Sequence, residues 1–337
     1  MIQHITPRLL RDWPLPMPLA DGDKNARGYV VIIAGSREMP GAVLLAATAA
    51  LRAGAGKLAI VTADSVAPHV GVAVPEARVI GLRETAEGGL IVDQRPDLQA
   101  VCRQASAVLI GPGMQDETAC CQLVRALLPD CIHAPLILDA AGMSIVSRDA
   151  DCGAAATSVT GTAAGPGQAP AGGLALAVAG GAVAAEAEAL AAPVGGFRFA
   201  SPVLLTPHAG ELASLTGADK DDIRAQPAAA APLAAQRWQA TVALKGALTV
   251  IADVNHQEWH HEGGNTGLAI SGSGDVLAGI IAGLAARGAP LGQAAAWGVA
   301  LHAMAGEQLA LKHGPQGYLA REISTEVPAL LRAMAAD

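Results

Sequence analysis

The chain has 337 residues, of which 52% are hydrophobic, 15% charged and only 2% aromatic, and it carries a formal net charge of -8. A disordered chain needs low hydrophobicity and high charge, so that class is excluded. An acidic chain without a Lys/Arg-rich run and with so few aromatic rings is also a poor partner for nucleic acid or an anionic membrane surface. Five cysteines, an odd number with no C-x-x-C pair, indicate neither a disulfide framework nor a structural zinc site, and a cytoplasmic location is expected. No signal peptide or membrane span is read from the sequence.

In chain order, residues 1–27 contain Pro7, Pro14, Pro16 and Pro18 and predict an extended arm with a short capping helix. A buried strand is predicted over 28–34 and a helix over 41–53, stopped by Gly54 and Gly56. Further strands are predicted over 58–61, 108–110, 136–138, 203–205 and 242–244. Continuous apolar runs of this length, separated by helices, predict an α/β fold with a mostly parallel sheet covered on both faces. Residues 248–252 and 257–261 predict a small β-hairpin, and the C-terminal part is predicted helical over 275–287, 292–313 and 327–336. The stretch from about 153 to 200 is an Ala/Gly-rich insert: its front half, 157–173, is expected to be mobile or exposed, and 174–190 is a candidate helix.

The most informative stretch is NTGLAISGSGDVLAG (265–279). Small residues at Gly272, Ser273 and Gly274 let backbone N–H groups approach a ligand, and a helix follows whose N-terminus favours an anion. Asp275 on its first turn fits a general base for an attacking hydroxyl in phosphoryl transfer. It equally fits an N-capping Asp after a Gly-rich turn. Neither a Walker A loop nor a G-x-G-x-x-G dinucleotide fingerprint is present.

Lys245, Gly246, Ala247, Leu248 and Thr249 lie between two strand runs, where a lysine with turn amides can hold a phosphate; a plain surface hairpin is the competing reading. TPHAGE (206–211) follows a strand, so His208 and Glu211 are candidate substrate contacts, or a cap and the opening of a helix. Gly111 to Gly113 and Gly35 with Ala42 approach the same sheet edge. Asp139 ends a strand and is a candidate to organise Mg²⁺ through water, or a structural cap. His256, Glu258, His260 and Glu262 alternate along one strand face, which reads as the solvated face of an edge hairpin rather than a metal site.

Seven motifs in order then carry a resemblance: AGSREMPGA (34–42), AALRAGAG (49–56), IGPGM (110–114), LDAAGM (138–143), LLTPHAGEL (204–212), LKGALTVIA (244–252) and GNTGLAISGSGDVLAGIIAGL (264–284). Together they resemble the ADP/ATP-dependent NAD(P)H-hydrate dehydratase family. The resemblance implies a ribokinase-like fold over 28–337, as a dehydratase domain without an epimerase half. It implies repair of NADHX and NADPHX, with ADP or ATP as phosphoryl donor and Mg²⁺ as cofactor, by phosphorylation of the 6-hydroxyl and loss of phosphate. By position, Asp275 would be the base and a substrate contact. Gly274 and the preceding amides of Gly272 and Ser273 would hold the transferred phosphate, and Lys245 to Thr249 the nucleotide. Ala42, Gly113 and His208 would line the hydrate pocket. A homo-oligomer, a tetramer, is also implied. Ala141 stands where the family usually has a second Asp, which points to reduced turnover if that carboxylate supports metal or phosphates. The rival readings are a small-molecule kinase of the same fold, acting on a vitamin precursor alcohol, and a non-catalytic nucleotide-binding regulator.

Overall fold

A computed structural model describes residues 2–17, 23–92, 96–147 and 197–335. The Ala/Gly-rich insert over 153–196, and with it the expectations for 157–173 and 174–190, lies outside the described residues. Among the described residues, ten strands form one sheet in the order β1-β10-β9-β8-β7-β6-β5-β2-β3-β4. They are β1 (Ile2–His4), β2 (Tyr29–Ile33), β3 (Lys57–Ala63), β4 (Ala77–Leu82), β5 (Ala107–Ile110), β6 (Leu136–Leu138), β7 (Val203–Leu205), β8 (Thr241–Leu244), β9 (Leu248–Ala252) and β10 (Glu258–Glu262). From β4 across to β8 all neighbours are parallel, while β9 is antiparallel to both β8 and β10.

The uninterrupted apolar runs are explained by coverage on both faces. Val30, Ile32, Leu58, Ile60, Leu109, Ile137 and Leu204 point into one buried cluster. Their neighbours Val31, Ile33, Ala59, Val61, Val108, Ile110, Leu138 and Leu205 point into the other. A strand buried on both sides has no polar alternation to show. The first layer is built by α2 (Pro40–Arg52), α9 (Ser273–Ala286), α10 (Leu291–His313) and α11 (Ala320–Ala335). The second contains α4 (Pro96–Gln104), α5 (Glu117–Leu127), α6 (Ala209–Thr216), α7 (Lys220–Ala225) and α8 (Pro227–Trp238). The short helices α1 (Pro7–Asp12) and α3 (Ala67–Ala73) complete the set.

Small residues set how closely the helices pack. A Cβ at Gly279 would lie 2.3 Å from the Ala46 carbonyl oxygen, and one at Gly283 would lie 2.4 Å from that of Ala50. Glycine therefore lets α9 press its backbone against α2, which fixes where the N-terminus of α9 sits.

Several sequence expectations change. The strands β2, β3, β5, β8 and β10, helix α2 and the C-terminal helices occur with shifted bounds, and β4 adds an edge strand. The face carrying Glu258, His260 and Glu262 is not at a solvated sheet edge, because β1 pairs in parallel with β10. His260 is buried beneath it, with its ring centroid 6.0 Å from that of His4. His256 is off that face altogether, in the β9–β10 turn with φ +59°. Trp13 follows α1 and stacks on Trp259 at 5.6 Å, so the arm is bound to the body of the domain. Cys102, Cys120 and Cys131 are buried free thiols.

Candidate active site

The sheet reverses its winding at β2: β3 and β4 lie on one side and β5 to β8 on the other. Such a switch point opens a crevice beyond the carboxyl ends of the strands. The loops after β2 and β5 meet there. Gly35 donates to the Pro112 carbonyl at 2.7 Å, and Gly111 donates to that of Ile33 at 3.1 Å. Gly113 lies against α2, so close that a Cβ on it would come within 2.4 Å of the Ala42 Cβ. Ala42 and Gly113 therefore form one small-residue wall.

Next along the same edge are the ends of β6, β7 and β8. Asp139 follows β6 and is 2% exposed. Its Oδ1 accepts from the Thr206 hydroxyl at 2.6 Å and from Lys245 Nζ at 2.9 Å. Lys245, at the end of β8, also lies 3.8 Å from Glu211 Oε2. Its backbone N–H donates to the Pro207 carbonyl, which ties the β8–β9 turn to the end of β7. Burial works against the lysine charge, but Asp139 and then Glu211 hold its pKa above the ordinary value. The ammonium is thus retained.

His208 caps α6. Its Nδ1 accepts from the Glu211 N–H at 3.1 Å, and the Glu211 carboxylate accepts from the His208 N–H at 2.7 Å. This reciprocal pair is a capping box with histidine in place of Ser or Thr. The side chain is 59% exposed, and the His208 backbone bridges Lys245 at the end of β8.

The third component is the start of α9. Gly272 takes φ +89°, a left-handed conformation open to glycine at little cost, and turns the chain into the helix. The Ser273 N–H donates to the Ile270 carbonyl and the Val276 N–H to that of Gly272. The Gly274 and Asp275 N–H groups between them are the donors of the first turn that face outward from the helix end. A Cβ on Gly274 would lie 3.6 Å from Lys245 Nζ, so the ammonium adjoins this turn. No side-chain cap bond is made at the start of α9, so Asp275 is not an N-cap. Its carboxyl is pushed up to about 6, chiefly by burial and then by Asp139, with Lys245 opposing. A carboxylate poised near neutrality beside an ammonium and free amides is suited to take a proton from a hydroxyl attacking a phosphoryl group.

Lys245, Gly246 and Ala247 form the tight β8–β9 turn, and Leu248 and Thr249 open β9. The Thr249 hydroxyl lies 3.2 Å from the Gly246 carbonyl, to which it donates. The hairpin reading and the ligand reading of this segment therefore coincide: the turn is a hairpin, and its first residue reaches into the site. The structure thus gathers Ala42, Gly113, His208, Lys245, Gly272, Ser273, Gly274 and Asp275 on one sheet edge. It adds Thr206 and His302, which sequence reasoning did not assign. Thr206 was visible inside the TPHAGE motif. His302 lies within α10, in an Ala-rich helix with no local signal.

The NAD(P)H-hydrate dehydratase family model matches residues 30–160 and 176–329. The chain is 41% identical over 330 residues to an ADP-dependent (S)-NAD(P)H-hydrate dehydratase of Xanthomonas campestris, covering 98% of this chain and 96% of that one. The counterpart from Bacillus subtilis is 30% identical over 317 residues, covering 93% and 92%. A bifunctional NAD(P)H-hydrate repair enzyme of Moorella thermoacetica is 34% identical, and there the chain spans 55% of the relative's length. Among solved structures, the ADP/ATP-dependent NAD(P)H-hydrate dehydratase of Bacillus subtilis, co-crystallised with ATP and Mg²⁺, superposes with a TM-score of 0.69 at 27% identity, covering 98% of this chain and 97% of that one. A ribokinase-like superfamily protein of Enterococcus faecalis gives a TM-score of 0.72 at 24% identity, covering 99% and 96%, and supports the fold alone. The fold is ribokinase-like.

Proposed function

The chain belongs to the NAD(P)H-hydrate dehydratase family, and we propose that it carries out ADP-dependent dehydration of the (6S) hydrates of NADH and NADPH, returning them to the reduced cofactors. The single observation that carries this reading is Asp275. It is a carboxyl raised to about 6 on the first turn of a helix whose amides adjoin a retained ammonium.

Each residue then has a chemical task. Asp275 accepts the proton of the 6-hydroxyl as that oxygen attacks the terminal phosphoryl group of ADP. A C–O–P linkage forms and the O–P bond to AMP breaks; the later loss of phosphate breaks the C–O bond at C6, and loss of a proton from C5 to water forms the C5=C6 double bond that restores the dihydropyridine. The Gly274 and Asp275 amides hold the phosphoryl oxygens at the helix N-terminus, with that of Gly272 on the turn before them, while the Ser273 amide, expected to join them, is taken by the Ile270 carbonyl. Lys245 balances their charge from the adjoining hairpin, and Gly246, Ala247, Leu248 and Thr249 give the nucleotide its surface. Ala42 and Gly113 offer a flat wall for the dihydropyridine, and the exposed ring of His208 flanks it. Asp139 and Thr206 keep Lys245 in place.

A divalent cation fits this donor set in one way. Among the described residues no group of three ligating side chains gathers, so there is no all-protein cage. Mg²⁺ commonly takes one or two carboxylates and completes its shell with phosphates and water. Asp139 and Glu211, on either side of Lys245, are the carboxylates available to hold it through water. When bound, it supplies charge neutralisation of the nucleotide phosphates.

Residues 28–337 are best treated as a single catalytic domain preceded by an arm. The test is incubation with (6S)-NADHX, Mg²⁺ and either ADP or ATP, following absorbance at the reduced-nicotinamide band. Growth of that band with release of AMP or ADP supports the reading. A phosphorylated hydrate that accumulates without recovering absorbance, or nucleotide binding with no turnover, overturns it.

A further inference from the structure

The start of α9 is held from behind by a residue that does not line the crevice. His302 lies at the middle of α10, and its Nε2 is 3.0 Å from the Ser273 hydroxyl and 3.1 Å from the Ser273 carbonyl oxygen. Both residues are buried, with Ser273 5% and His302 9% exposed. The two contacts fix the chemistry of the ring. A carbonyl oxygen only accepts, so Nε2 must carry the hydrogen, and the N–H is shared between the carbonyl and the hydroxyl. The Ser273 hydroxyl is then an acceptor towards His302 and keeps its own hydrogen for another partner.

Resting on the proposed phosphoryl-transfer site, we infer that His302 is a positioning residue for that site: through Ser273 it clamps the first residue of α9 and so sets where the Gly274 and Asp275 amides and the Asp275 carboxyl stand. The surroundings keep the clamp uncharged. Burial pushes the His302 pKa down to about 4, and Lys245 and His261 act in the same direction against the hydrogen bond to the Ser273 carbonyl. Burial lowers His261 itself, with Glu307 opposing. A neutral donor at this place orders the turn without adding a second fixed cation behind the phosphates. It also spans elements that the chain itself leaves independent: residues 273 and 302 are joined only through the whole of α9, the following turn and the first half of α10.

The amides of a helix start are effective only when their direction is fixed, and a displacement of about 1 Å can cost roughly 10²-fold in rate. The experiment measures ADP binding by calorimetry, together with KM for ADP and kcat, for wild type, His302→Leu, His302→Gln and Ser273→Ala. Loss of the shared N–H in His302→Leu is expected to weaken ADP binding about 10-fold, in line with one or two hydrogen bonds. Turnover is expected to fall further, because Asp275 is also displaced. His302→Gln, whose amide presents an N–H at a similar reach, is expected to recover most of both. Ser273→Ala keeps the carbonyl contact and should fall between them. ADP affinity and turnover in folded His302→Leu equal to wild type would overturn the clamp. If His302→Leu does not fold, His302→Gln against His302→Asn decides: equal binding by the long and the short amide overturns the inference. Wild-type protein that binds no ADP at all removes the proposed site rather than the clamp.

Discussion

Lys245 Nζ lies 2.9 Å from Asp139 Oδ1 at the bottom of the crevice, and the two come from strand ends 106 residues apart in the chain. Asp139 is nearly sealed from solvent while Lys245 keeps one side towards α9. Removing one partner of such a pair leaves the other buried and unpaired, which typically costs about 3–5 kcal/mol. Lys245→Met should therefore lower the unfolding free energy by that order, read by urea denaturation. The double substitution Asp139→Asn with Lys245→Met should recover most of the loss while restoring no nucleotide binding. Equal stability of single and double variants would show that the pair is not coupled.

Asp275→Asn keeps the size of the side chain and removes the proton acceptor. Hydrate turnover is expected to fall by about 10²–10⁴-fold, the usual range for a general base. ADP affinity should hold or rise slightly, since a negative charge near phosphate is gone. Binding and turnover measured on one preparation check both halves. Turnover near that of wild type would take Asp275 out of the chemistry.

The pH dependence follows from the same group. The Asp275 pKa is raised from its ordinary 3.8 to about 6 in the fold, so the folded state holds the proton more tightly than the unfolded one. Stability from this group is present below pH 4 and is lost as pH rises towards and through 6, by roughly 3 kcal/mol at 1.36 kcal/mol per unit. Asp275→Asn should consequently melt several degrees higher than wild type at pH 7.5 and at the same temperature near pH 4. Turnover of wild type should run the opposite way, rising with an apparent pKa near 6. A melting difference that does not change between pH 4 and 7.5 would contradict this account.

Much of the frame was legible because its strands are buried on both faces. Runs such as Val30 to Ile33 and Val108 to Ile110 cannot be confused with a half-solvated strand. The glycine-rich entry to α9 was legible because only glycine accepts the φ of residue 272 without strain. β4 was not, since it alternates exposure along its length and carries Arg78 within the run. β1 was not either: three residues have no period, and their strand form depends on pairing with β10, more than 250 residues away. That remote pairing also removes β10 from the sheet edge, with His260 buried beside His4 while Glu258 is half-buried and Glu262 stays exposed. Asp139 and Lys245 were visible as separate candidates, but not as partners, because their contact is made only by the parallel order of β6, β7 and β8. His302 gave no signal for the same reason, its role depending on the approach of two helices.

His208 has two separable roles in this structure, and a single substitution can divide them. Its Nδ1 caps α6, while its side chain is largely exposed at the end of β7, where we place the edge of the hydrate pocket. Loss of a cap costs about 0.5–2 kcal/mol, and Asn is among the best N-cap residues. His208→Asn should therefore keep the melting temperature of wild type, whereas His208→Ala should lose stability within that range. If the ring also contacts the dihydropyridine, both variants should raise KM for the hydrate several-fold and leave KM for ADP unchanged, because the nucleotide is held by the neighbouring hairpin and the start of α9. Steady-state kinetics with the hydrate and ADP varied in turn, beside thermal melts of the same samples, separates the two. A hydrate KM that moves only in His208→Ala, in step with its lower melting temperature, would confine His208 to capping the helix.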